Sequence, residues 1–333
     1  MGARRLLLLT LLVLTAFLAG CSKASRILSR TAHGKYGWKA EDYFNDPQVI
    51  ALCHAIEAND LDEMKRLIAA GADVNARGKD NMTPLLWAYP DNKIERFKLL
   101  LEHGADPNVV VKSSFGTNVI HEGHSVTHLA AGSRFPDHFD LVMRYGGDPN
   151  LIDPFYGDSV LHRVITANIS RELKKKRIRL LIEKGADLNH LSADSTPAMT
   201  AVAWFGQYDI ALMLIKAGAD PCKYRERSNS RLIHSLAREQ RDGRAERCPP
   251  ELKQAYNELL KIVEERCGVT LEQALKDLDR WAHRAMVYEP AEIKRLREQE
   301  VAERKAREKA KQTKTQQTDR NSTGDRVPDR RNN

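Results

Sequence analysis

The stretch running from Thr83-Pro84-Leu85-Leu86-Trp87-Ala88 to Gly104-Ala105-Asp106-Pro107-Asn108 decides how this chain folds. The Thr hydroxyl suits a helix N-cap, and Pro is tolerated at the first helical position because its missing N–H costs nothing there. Ile94, Phe97, Leu99, Leu100 and Leu101 mark a second helix, which Gly104 stops by taking a left-handed conformation. Asp106-Pro107-Asn108 then turns the chain. The same punctuation recurs at Gly71-Ala72-Asp73-Val74-Asn75, Gly146-Gly147-Asp148-Pro149-Asn150, Gly185-Ala186-Asp187-Leu188-Asn189 and Gly218-Ala219-Asp220-Pro221-Cys222, only the last ending in Cys. Successive first glycines lie 33, 42, 39 and 33 residues apart. A helix-turn-helix unit with a polar finger cannot bury its apolar face alone, so the pattern predicts an all-α stack of such units.

Thr83–Ala88, Thr196-Pro197-Ala198-Met199-Thr200-Ala201 and Ser159-Val160-Leu161-His162 resemble the Thr-Pro-Leu-His motif of ankyrin repeats, whose period is 33 residues. The family's His falls on His128, His162 and His234. The resemblance covers residues 46–269 and implies an ankyrin solenoid of about five repeats plus a degenerate C-terminal cap that includes a helix from Glu251 to Cys267. It also implies a protein-binding module without catalysis, cofactor or metal, in which first helices and fingers form a concave face. Trp87, Tyr89, Trp204 and Phe205 sit in or just after first helices, which makes them candidate partner anchors against the alternative of core packing.

The two longer intervals locate insertions. Between Asn108 and Ser125 the second finger gains about nine residues over the first and is apolar for a loop. Val111, Phe115, His121, Glu122 and His124 are its candidate contact residues, since insertions in a solenoid often bind. As an exposed loop, residues 110–122 are expected to be removable without loss of folding. Repeat four is lengthened by five residues, including some of Arg171 to Arg179, placed between its two helices. The run Arg171-Glu172-Leu173-Lys174-Lys175-Lys176-Arg177 reads as a solvated face, open to anionic headgroups or an acidic partner.

Two stretches imitate catalytic motifs. His121-Glu122-Gly123-His124 brings its second His one residue early for H-E-x-x-H, and Gly123-His124-Ser125-Val126-Thr127 has Thr127 where a nucleophile elbow needs Gly. A hydrolase built on Ser125 or the His121/His124 pair is therefore the lowest-ranked reading.

The chain ends carry the rest. Arg4 and Arg5 precede an apolar run from Leu6 to Leu18 that closes at Leu18-Ala19-Gly20-Cys21, the layout of an export signal. Leu-Ala-Gly-Cys resembles the lipobox of bacterial lipoproteins. That resemblance implies cleavage before Cys21, lipidation of Cys21 and a membrane-anchored protein facing the periplasm, with Ser22 favouring the outer membrane. The domains read as a signal peptide at 1–20, a tether and N-terminal cap at 21–45, repeats at 46–269, C-terminal helices at 270–311 and a disordered tail at 312–333. Of the net charge of +8 over 333 residues, the signal peptide holds +2 and residues 291–333 hold +5, so the repeats are near neutral and no nucleic-acid partner is implied. Export permits disulfides among Cys53, Cys222, Cys248 and Cys267, with Cys248–Cys267 the first pair to test. By resemblance, the chain is similar to ankyrin-repeat lipoproteins associated with secreted phospholipase effectors. This implies an immunity protein that binds a secreted toxin; the alternative is a periplasmic scaffold supporting a stress-defence enzyme.

Overall fold

The computed structural model describes residues 31–116, 120–154, 156–192, 195–224 and 231–287, without the side chains of Trp204 and of 281–287. The signal peptide, Cys21 and the tail at 312–333 lie outside the described residues. A short helix α1 (Ala32–Tyr36) precedes six helix pairs: α2 (Pro47–Ala58) with α3 (Leu61–Ala69), α4 (Pro84–Ala88) with α5 (Ile94–Glu102), and α6 (Val126–Gly132) with α7 (Pro136–Arg144). They continue as α8 (Val160–Thr166) with α9 (Arg171–Glu183), α10 (Pro197–Phe205) with α11 (Tyr208–Lys216), and α12 (Leu232–Arg241), a single turn α13 (Arg244–Arg247), and α14 (Pro250–Cys267). A separate unit begins at Glu272; its described residues, 272–287, lie in the helix α15 (Leu271–Val287), with an i, i+4 pair between Glu272 and Lys276. No described helix is long and apolar enough to cross a membrane.

The helices start and stop where the sequence chemistry demands. Thr83, Ser125, Ser159 and Thr196 each cap a first helix, their hydroxyl oxygens accepting from the backbone N–H three residues on. Gly71, Gly104, Gly146, Gly185 and Gly218 all have φ between 78° and 107°, the left-handed region that ends the second helices. Apolar residues line the interfaces between pairs, with Leu85, Phe97, Leu100, Phe139, Val142, Leu161, Ile178, Leu181 and Leu214 all fully buried.

The fingers are sewn to one another by asparagine. Asn75 Nδ2 donates to the Gly104 carbonyl (2.8 Å) while its Oδ1 accepts from Asp106 N (2.7 Å). Asn108 makes the same pair of bonds to Gly146 and Asp148, and Asn150 to Gly185 and Asp187. Asn189 accepts from Asp220 N at 2.7 Å. The punctuation read in the sequence is thus a ladder that fixes each repeat on the next.

Repeat four departs from expectation. The extra residues do not make a loop between its helices; they lengthen α9 to 13 residues, against 9 in α5, α7 and α11. Nor is the run 171–177 wholly solvated. Lys174 Nζ donates to the Ile165 carbonyl (2.6 Å), and Arg177 Nη1 and Nη2 donate to the carbonyls of Ala131, Ser133 and Phe135 (2.6–3.0 Å). Arg96 in α5 does the same for Ile56 and Ala88 and pairs with Asp91 (3.0 Å). These buried cations satisfy carbonyls left free where first helices end, the end of the helix dipole that attracts positive charge.

The disulfide also differs. Cys222 is bonded to Cys267, with 5.4 Å between their Cα atoms, whereas Cys248 is a free thiol. Cys248 precedes the 18-residue α14 and Cys267 is its last residue, a span of about 27 Å. A disulfide requires Cα atoms within about 7 Å, so the helix itself forbids that pairing.

Candidate protein-binding surface

A binding surface must be uncovered, and the structure sorts the candidate residues on that ground. Trp87 is fully buried. Its ring centroid lies 4.6 Å from that of His33, 5.8 Å from Trp38 and 5.7 Å from Tyr43. The covering residues come from the N-terminal segment 31–44, which lies across the first helix of repeat two. Ala32 N donates to Asp91 Oδ1 (2.7 Å), His33 Nε2 to the Trp87 carbonyl (2.8 Å) and Lys79 N to the Tyr43 carbonyl (2.8 Å). Gly78 permits that approach, because a Cβ there would stand 2.6 Å from the Tyr43 oxygen.

The long second finger folds into the same cluster instead of projecting. Phe115 and Ile120 are joined by paired backbone bonds (2.8 and 3.2 Å), and Val111 pairs with Gly123 and His124 (3.0 and 2.9 Å). Val111, Phe115, Ile120 and His124 are all buried. The Phe115 ring meets Trp38 and Tyr43 at 6.4 and 5.8 Å. Trp87, Val111, Phe115 and His124 are therefore structural and not partner anchors: the apolar character that marked the finger is its own docking face. Removing 110–122 would uncover Trp38 and Tyr43, so the deletion is expected to cost stability, against the reading of the finger as a dispensable exposed loop.

Tyr89 is half-buried at the end of α4, and burial pushes its phenol up to about 12. His121 and Glu122 remain exposed at the turn before His124, and Phe205 is 45% exposed at the end of α10. The Trp204 side chain lies outside the described residues. Phe205 borders a cavity of about 440 Å³ lined by Arg171, Tyr208, Glu239, Arg244 and Leu252, and Lys174 Nζ sits 5.2 Å from its ring centroid. Glu239, buried at the cavity floor, accepts from Tyr208 Oη (2.8 Å) and from Arg244 (2.6 Å).

Two exposed aromatics escaped the sequence reading: Tyr156, 62% exposed in the third finger, and Phe135, 41% exposed between α6 and α7. Pro154 and Gly157 frame Tyr156, and a large aromatic between two turn-formers was the available signal.

The stretches that imitate catalytic motifs resolve into architecture. Ser125 Oγ lies 3.0 Å from His128 Nδ1, and Ser159 Oγ lies 2.8 Å from His162 Nδ1, so the Ser–His pair is a repeating cap and not a unique nucleophile. Ser125 is fully buried. His124 faces Asp153 at 3.8 Å, with Arg163, His128 and His121 around it; burial lowers its pKa to about 4. Among the described residues no group of His, Cys, Asp or Glu is arranged to hold a metal ion.

A family model described as Ankyrin repeats (3 copies) matches residues 22–111 and 127–225, more than half of the chain. The chain belongs to the ankyrin repeat family. It is 29% identical over 168 residues to Ankyrin repeat protein nuc-2 of Neurospora crassa, covering 50% of this chain and 14% of that protein. It is 39% identical over 87 residues to human Palmitoyltransferase ZDHHC13, covering 26% of this chain and 12% of that protein. Over 59 residues it is 42% identical to the bovine Mitochondrial disaggregase, 18% of this chain and 9% of that protein. The chain thus spans less than a fifth of the length of these relatives. Ankyrin repeats generally mediate protein–protein interaction.

Proposed function

We propose that this protein is an exported, lipid-anchored ankyrin module that binds another protein and neutralises an antibacterial effector. The carrying observation is the distribution of uncovered side chains. Segment 31–44 packs its Trp38 on Trp87 and on Phe115 of the second finger, while Tyr156, His121, Glu122 and Phe205 remain exposed. Tyrosine and phenylalanine exposed on a rigid scaffold are the side chains that anchor interfaces. Export and the anchor at Cys21 are supported by Leu18-Ala19-Gly20-Cys21 and by a Cys222–Cys267 disulfide, which suits an oxidising compartment. The effector as partner rests on resemblance to lipoproteins associated with secreted phospholipase effectors.

Two experiments test this. Cys21→Ser is expected to release the protein from membranes, and retention in the pellet would count against the anchor. A deletion strain is expected to lose survival against toxin-armed competitors and to regain it with the intact gene. A deletion strain as resistant as its parent, but sensitive to peroxide, would point to the stress-defence scaffold instead.

A further inference from the structure

The asparagine ladder has an end, and its chemistry changes there. In fingers one to three the Asn donates to the next finger's Gly carbonyl and accepts from the next finger's Asp N–H; Asn189 in finger four accepts in the same way. Finger five has no sixth finger after it, since the chain proceeds to α12 and α14 without a further Gly-small-Asp stretch. An Asn at its terminal position would meet no Gly-small-Asp stretch of a next finger. That position is Cys222, which keeps the local turn by donating its N–H to Asp220 Oδ1 (2.8 Å), as Asn75, Asn108, Asn150 and Asn189 do in theirs. Its side chain is instead joined to Cys267, the last residue of α14, 45 positions later.

We propose that the Cys222–Cys267 disulfide is the covalent end of the ladder, a redox-dependent closure that holds the terminal helix pair on repeat five. Hydrogen bonds between fingers fix repeats one to five in any redox state. The last pair alone is closed through an oxidation. In forming, two thiols lose two electrons and two protons to a disulfide oxidant, which leaves as a dithiol. In reduction by dithiothreitol, that dithiol closes to its cyclic disulfide, and Cys222 and Cys267 become thiols. Both sulfurs belong to half-buried residues, so the reductant has access. α14 packs on both α11 and α12, and the noncovalent contacts include a Tyr256 Oη bond to the Leu236 carbonyl (3.2 Å) and a Lys216–Glu258 pair (2.6 Å). The last pair is thus expected to loosen on reduction while the rest of the solenoid stays folded. A 45-residue loop predicts a change of roughly a hundred- to a thousand-fold in the equilibrium for opening it.

Hydrogen exchange on the full exported chain, purified without reductant and again after dithiothreitol, tests this. Peptide mapping of the oxidised protein is expected to yield a Cys222–Cys267 cross-linked peptide with Cys53 and Cys248 as thiols. After reduction, amides in 218–267 should exchange at least tenfold faster, with those in 84–189 within twofold of their oxidised rates. Cys222→Asn separates closure from simple repeat chemistry: it restores the family's own residue, yet it should exchange like the reduced protein because no sixth finger exists to bond it. Cys248→Ser should match wild type. Wild-type protection in Cys222→Asn, unchanged exchange on reduction, or a uniform rise across all repeats would each overturn the proposal. Reduction of the folded wild-type protein gives a reading that does not depend on any variant folding.

Discussion

The second and third fingers invert what their sequences suggest. The second is long and apolar and looks like a binding loop, yet Val111, Phe115 and Ile120 are buried, Phe115 against Trp38 and Tyr43 of segment 31–44. The third is shorter and unremarked, yet it leaves Tyr156 62% exposed. Length and hydrophobicity therefore do not decide which finger stays uncovered: the chain itself covers Phe115 of the second finger with Trp38 and Tyr43 of segment 31–44.

The largest expected effect that tests this contrast is deletion of 110–122. It uncovers Trp38 and Tyr43 together, and unfolding of the N-terminal half by urea, followed by tryptophan fluorescence, should shift further than for any single substitution there. Phe115→Ala follows, with an expected loss of ~3–5 kcal/mol as for other large buried aromatics. A dispensable loop would instead lose less than about 0.5 kcal/mol.

Next comes pH. His124, behind the second finger, and His138, in α7, are held near pKa 4 by burial, below the ~6.5 of an unfolded imidazole. Because the folded values are depressed, the unfolded chain takes up protons first as pH falls. The stability these groups allow is complete above about pH 6.5 and is lost as pH drops toward 4. By pH 5 the loss is expected to be about 2 kcal/mol for each imidazole, measurable as a lower urea midpoint than at pH 7. An unchanged midpoint would show that neither imidazole is held neutral by its packing.

The fold was legible because each repeat writes its boundaries in short-range chemistry. A Thr or Ser cap, a Gly stop and an Asp-x-Asn turn are set by neighbours within a few residues, and all of them stand where the sequence placed them. The site was less legible because exposure is a long-range property. Nothing within 109–124 announces that Trp38 and Tyr43 come to rest on Phe115. The lengthening of α9 was misplaced for a similar reason: a lysine- and arginine-rich run looks solvated until Arg177 is seen to reach the carbonyls of Ala131, Ser133 and Phe135 in the repeat before it. The disulfide partner of Cys222 lies at the far end of a helix, and only the three-dimensional course of α14 reveals it.

The most direct test of the central claim compares Tyr156→Ala with Phe115→Ala for stability and for affinity toward the effector proposed as partner, by calorimetry on the purified pair. Tyr156→Ala is expected to keep wild-type stability within about 0.5 kcal/mol while weakening binding roughly thirtyfold, the loss of about 2 kcal/mol typical of an interface anchor. Wild-type affinity in Tyr156→Ala would contradict the account. So would a Phe115→Ala variant that stays fully stable but no longer binds, because the second finger would then be the recognition loop after all.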